Sequence, residues 1–85
     1  MTEVAEGVME IIAARSKRGG ATLQGSDWLD ELGIESLEAV EMIFELEDRF
    51  RIEIPVNANN TGEVFKTVTD VVRLVEELVA AKDAT

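Results

Sequence analysis

The residue best placed to do chemistry is Ser36, which stands in Leu32-Gly33-Ile34-Glu35-Ser36-Leu37 at the foot of an acidic helix. A serine hydroxyl becomes a nucleophile when a neighbouring base takes its proton. The sequence contains no histidine and no cysteine. The commonest general base is therefore missing, and so are a thiol nucleophile, a thiolate metal site and a disulfide framework. An active site built from serine and carboxylates alone would lack an evident base for Ser36, so we assign no catalytic residue and no metal ligand. Two readings of Ser36 remain. It is a capping serine, bonded to a free amide of the first helical turn, or it is a point of covalent attachment. Spacing alone makes the cap the simpler reading, although Ala39 stands where a capping box would place Glu or Gln.

The elements around Ser36 sharpen the choice. Gly33 suits a turn, because glycine tolerates backbone angles that other residues avoid. In the helix that follows, Ala39, Met42, Ile43, Leu46 and Phe50 share one side at helical period, an ordinary core face. Leu37, Val40 and Phe44 form a second apolar stripe, fringed by Glu41, Glu47 and Asp48, with Glu38, Glu45 and Arg49 on the rest of the wheel. A surface helix of a small bundle needs one apolar face. In a chain too short to wrap this helix, the second stripe suggests an exposed patch for a partner; the alternative is that loops cover it. Burying Leu37 or Phe44 would contribute about 1.5–3 kcal/mol each. Three apolar side chains ringed by carboxylates suit a partner with an apolar notch and a basic rim.

Charge narrows the partners further. The 85 residues carry a net charge of −10, and the segment from Asp27 to Glu53 holds ten acids against two bases, −8 of that total. Phosphate backbones and anionic membrane surfaces would be repelled, so nucleic acid and membrane are excluded as partners. Basic protein surfaces would be attracted; the plain alternative is an acidic surface that only aids solubility. The start of the chain lacks a basic, apolar leader and no run approaches a membrane span, so the expected location is the cytoplasm.

The length fits one domain, with a core over about residues 3–80 and a frayed tail over 81–85. Periodicity predicts a first helix over 3–16, with Val4, Val8, Ile11 and Ile12 inward. Gly7 should cost it about 1 kcal/mol relative to Ala. Arg15, Lys17 and Arg18 at its end complement the dipole, and Gly19-Gly20 stops it. Leu23 tethers the following loop. Ser26 then caps a single turn, Asp27 to Leu32, with Trp28, Leu29 and Leu32 packed inward. After the Ser36 helix, Arg51-Ile52-Glu53-Ile54-Pro55 alternates like an extended segment anchored by Ile52 or Ile54 and ended by the proline. Residues 56–62 form a polar loop. Its Asn59-Asn60-Thr61 matches a glycosylation acceptor without a secretory context, and its calcium-loop resemblance fails at Val68, where Glu is required. Phe65 packs inward. Thr67 caps the last helix, with Asp70 in the capping-box position, and Val68, Val71, Val72, Val75, Leu78 and Val79 form its core face.

Leu32-Gly33-Ile34-Glu35-Ser36-Leu37 resembles the phosphopantetheine attachment motif of acyl carrier proteins, usually Leu-Gly-x-Asp-Ser-Leu. The likeness continues through Glu38-Ala39-Val40-Glu41, Leu46-Glu47-Asp48-Arg49-Phe50, Ile52-Glu53-Ile54-Pro55 and Thr67-Val68-Thr69-Asp70-Val71, nearly the whole chain. The resemblance implies an all-α bundle of three main helices plus a short helix in the third connection, near Thr61–Phe65. It implies that a phosphopantetheinyl transferase moves 4′-phosphopantetheine from coenzyme A onto Ser36. The chain would be a substrate rather than an enzyme, and a monomer. The arm's thiol would carry acyl groups as thioesters to synthases, acyltransferases or acyl-ligases of fatty acid, lipid or polyketide synthesis. Leu37, Glu38, Val40, Glu41, Phe44, Glu47 and Asp48 would form the docking face. Glu35 stands where the family usually has Asp, the acid associated with the transferase's metal and basic groups, and its carboxylate sits one methylene farther out. Two rivals use the same residues: an unmodified acidic interaction module, and a peptidyl carrier of amino-acid thioesters.

Overall fold

The computed structural model describes residues 3–17, 23–34, 37–55 and 66–83. These form three helices, α1 (Glu3–Arg15), α2 (Leu37–Phe50) and α3 (Val68–Asp83), with α1 packed against both of the others. The described residues contain no strand, and none of their helices is long and apolar enough to cross a membrane. The expected short helix near Thr61–Phe65, the polar loop 56–62 and Phe65 lie outside the described residues.

The core is the one the periodicities dictate. Val8, Ile11 and Ile12 of α1, Ala39, Met42, Ile43 and Leu46 of α2, and Val68, Val71 and Val75 of α3 meet in one buried cluster. Leu29, Leu32 and Ile34 close it from the first connection, and both Ile52 and Ile54 close it from the second. Leu23, Phe50, Val72, Leu78 and Val79 pack around it, half-buried. Gly7 is more than a weak helix residue: a Cβ there would stand 2.8 Å from Cζ of Phe50, so its absence gives the ring its place against α1.

The first connection is strapped to the start of α3. Trp28 and Thr67 form an antiparallel bridge. The Leu29 N–H donates to the Lys66 carbonyl at 2.9 Å, and the N–H groups of Val68 and Thr69 donate to the carbonyls of Asp27 and Gly25 at 3.0 and 2.9 Å. The third amide of α3, on Asp70, donates to Thr67 Oγ1 at 3.3 Å, while Asp70 Oδ2 accepts the N–H groups of Thr67 and Lys66 at 3.0 and 3.1 Å. The expected capping box is thus formed, and the amides a helix leaves unpaired at its start find partners.

Four expectations are corrected. Trp28 is 47% exposed rather than packed inward; the bridge to Thr67 takes its backbone, while Leu29 and Leu32, three residues apart, fill the inward positions. The turn ahead of it, Gln24 to Asp27, is closed by Asp27, whose Oδ2 accepts the Gln24 N–H at 2.8 Å and whose own N–H donates to the Gln24 carbonyl at 3.1 Å; the expected Ser26 cap is not among the hydrogen bonds of the described residues. Helix α1 stops at Arg15, ahead of the two glycines, because the Lys17 N–H is captured by the Leu32 carbonyl at 2.8 Å. Helix α3 continues past Ala80 to Asp83, and Lys82 Nζ donates to the Phe50 carbonyl at 3.1 Å, placing a cation at the negative end of α2.

Candidate functional site

The site is the entry to α2. The Gly33 N–H donates to the Asp30 carbonyl at 3.1 Å, and the Ile34 N–H to the Leu29 carbonyl at 2.9 Å. Gly33 has φ +83°. This is the hydrogen-bond pair of a Schellman turn with glycine in its left-handed position, and Leu29 and Ile34, both buried, make its apolar contact. A side chain at residue 33 would also run into the stem of Lys17. The turn fixes the direction in which the chain leaves Ile34, and three residues later α2 has begun, at Leu37. Glu35 and Ser36, the flanking acid and the attachment serine of the sequence analysis, lie outside the described residues.

Helix α2 ends as it is entered. The Ile52 N–H donates to the Glu47 carbonyl at 3.2 Å across Arg51, whose φ is +55°. This is the six-to-one bond of a second Schellman turn, with arginine in the position glycine prefers. No sequence signal points to it.

The two apolar faces of α2 separate as expected. Leu37 is 69% exposed and Phe44 63%, Val40 is half-buried, and Ala39, Met42, Ile43 and Leu46 are in the core. The acids around the outer stripe divide by partner. Toward α1, Glu41 and Glu45 lie 3.4 and 2.9 Å from the Arg15 guanidinium, and Glu38 lies 3.1 Å from Lys17 Nζ. On the opposite flank, Glu47 Oε2 accepts the Ile54 N–H at 2.7 Å, tying the extended segment to the helix. Asp48 is exposed and has no partner among the described residues. Arg49 reaches α1 through Glu10, at 2.8 Å. The cations at the end of α1 thus do more than complement its own dipole. That Arg15 and Lys17 pair with α2 follows from the packing of the two helices, which periodicity does not fix.

The family model described as a phosphopantetheine attachment site matches residues 6–75. The chain belongs to that family. The phosphopantetheine-attachment domain also has the fold of a solved acyl carrier protein from Thermotoga maritima, with a TM-score of 0.74 at 18% identity over 95% of this chain and 92% of that one. Its prosthetic group is therefore covalent 4′-phosphopantetheine, and the domain is a carrier rather than a catalyst. The described surroundings fit such an arm. A covalent tether needs a hydroxyl with open surface beside it; Ser36 lies within the matched span, and Leu37, its neighbour in sequence, is largely exposed.

Proposed function

We propose that Ser36 carries the phosphopantetheine arm and that the protein is an acyl carrier, working as a cytoplasmic monomer for enzymes of fatty acid, lipid or polyketide synthesis. What supports this reading is one juxtaposition: the helix that begins directly after the motif serine presents two large apolar side chains, Leu37 and Phe44, to solvent. A phosphopantetheinyl transferase supplies the arm from coenzyme A and provides the base that the chain lacks. Glu35, next to the serine in sequence, supplies a negative charge for the basic groups of that transferase. When bound, the arm supplies a thiol, which holds an acyl group as a thioester. The chain's own residues recognise the enzymes that load and unload it.

Recognition falls to the outer stripe of α2. Leu37, Val40 and Phe44 give it apolar area, and Glu38, Glu41, Glu47 and Asp48 give it sign. Carriers must release each enzyme after use, so a small charge-assisted patch serves better than a large dry one. Of the four acids, Glu47 also holds the Ile54 amide, so its contribution is split between fold and docking.

Two measurements test the reading. Intact protein recovered from cells should carry acyl adducts that hydroxylamine, which cleaves thioesters, returns to the phosphopantetheinylated mass. Adducts that resist hydroxylamine would argue against thioester carriage. Phe44→Ala should lower kcat/KM for acyl transfer from the carrier to a synthase by about ten- to thirtyfold, because less apolar surface is buried on docking, with the circular dichroism melt unchanged. An unaltered transfer rate would remove the stripe from the docking face.

A further inference from the structure

The acidic flank of α2 that faces α1 is already engaged within the protein. Arg15 bridges Glu41 and Glu45 through its two terminal nitrogens, at 3.4 and 2.9 Å, and its Nε donates to Glu45 Oε1 at 3.0 Å. Those carboxylates are four residues apart on one helix and would repel each other without the cation between them. Only 26% of the Arg15 side chain is exposed. Lys17 is held at three points: its N–H on the Leu32 carbonyl, its stem against Gly33, and its ammonium on Glu38. On the helix wheel, Glu41, Glu45 and Glu38 run from the exposed Leu37 and Phe44 toward the core on one side, and Glu47 is turned to Ile54 on the other. Asp48, between Phe44 and Glu41 on that wheel, is the acid left without a partner among the described residues.

We propose that Arg15 and Lys17 are specificity-determining residues of the docking face. They cancel two of the three negative charges on its α1 flank, those of Glu38, Glu41 and Glu45. The partner that fits is then an enzyme surface with an apolar notch for Leu37 and Phe44, one basic group facing Asp48, and a neutral or acidic group opposite Arg15. This inference rests on the docking reading given above. An enzyme basic all round its notch must meet two fixed like charges or strip them from their carboxylates, and like charges set against each other at an interface weaken it. Arg15 and Lys17 thus discriminate among enzymes by repulsion, while the apolar stripe supplies attraction common to all.

The test uses binding, so that it does not depend on modification. In the Ser36→Ala background, a broad-specificity phosphopantetheinyl transferase with a basic docking surface is titrated in without coenzyme A, at about 20 mM and 300 mM salt. The comparison is between the parent, Arg15→Gln/Lys17→Gln, and Asp48→Asn. The double variant should bind about three- to tenfold tighter at low salt, with the gap closing at high salt as screening shortens the reach of charge. Asp48→Asn should bind more weakly. Equal or weaker binding by a folded double variant overturns the proposal, and so does a parent that shows no binding alongside a double variant that shows none. Should the double variant lose its fold, Lys17→Gln alone, at a side chain 67% exposed, should still tighten binding about twofold or more; no tightening would overturn the proposal. Failure of Ser36 to accept phosphopantetheine would sink the carrier reading without touching this comparison.

Discussion

Ser36 is defined by what surrounds it in sequence, and the residues on either side of its motif have definite work. Gly33 turns the chain, Leu32 and Ile34 bury it, and Leu37 starts the helix in the open. Glu47 has a structural role besides the docking role we propose for it. Its part-buried carboxylate accepts the Ile54 amide at 2.7 Å, and leaving that amide without an acceptor should cost about 1–3 kcal/mol. Glu47→Ala should therefore lower the unfolding free energy by about that amount in urea denaturation, whereas Glu47→Gln, which keeps an acceptor oxygen, should lose less than half of it. Equal losses in the two variants would place the stabilisation elsewhere. The acids along α2 were legible in the sequence as a sign and a spacing. Their individual partners were not, because a contact between Arg15 and Glu45 depends on how α1 lies across α2.

At the scale of elements, caps decide where each helix begins and ends. The capping box of α3 was readable, since Thr67 and Asp70 stand three residues apart before a valine-rich face. It also carries a pH dependence. The amide of Thr67, against a smaller opposing effect of burial, and then the amide of Lys66, hold the Asp70 carboxyl below the ordinary aspartate range. A carboxylate whose folded value is depressed adds stability that is present above its unfolded value, roughly pH 3.9, and is lost as pH falls through the folded value. Asp70→Asn should therefore destabilise the protein at pH 7, and the gap to wild type should narrow as the pH drops below about 4. A gap independent of pH would contradict the assignment. The exit from α2 was not readable, because Arg51 gives no turn signal. A non-glycine residue in the left-handed region costs roughly 1–2 kcal/mol. Arg51→Gly should recover about 1 kcal/mol, after allowance for glycine's extra freedom in the unfolded chain, and raise Tm by about 4–8 °C. A lower Tm would mean that the Arg51 side chain stabilises the turn by more than its backbone strains it. The orientation of Trp28 was not readable for a related reason: hydrophobicity marks a residue as suited to the core, but the bridge to Thr67 decides which residues of that short segment face inward.

For the whole molecule, thinness and charge act together. The principal extents are 38 × 30 × 19 Å, and the shortest is about two helix diameters. A body two helices thick leaves each helix an outer face, so the second stripe of α2 stays uncovered among the described residues. Eighteen acids against eight bases then set its sign. Fold class was legible because three periodic segments, each with a single continuous core face, admit few other arrangements. The covalent chemistry was legible through the motif, since a lone hydroxyl without a base has no chemistry of its own to display. A carrier needs an attachment point, and Ser36 is the one we propose. Intact mass should be measured after incubation with coenzyme A and a broad-specificity phosphopantetheinyl transferase, for wild type and for Ser36→Ala. Wild type should gain one phosphopantetheinyl group and Ser36→Ala none. A gain that survives in Ser36→Ala, or no gain in wild type with several transferases, would contradict the assignment.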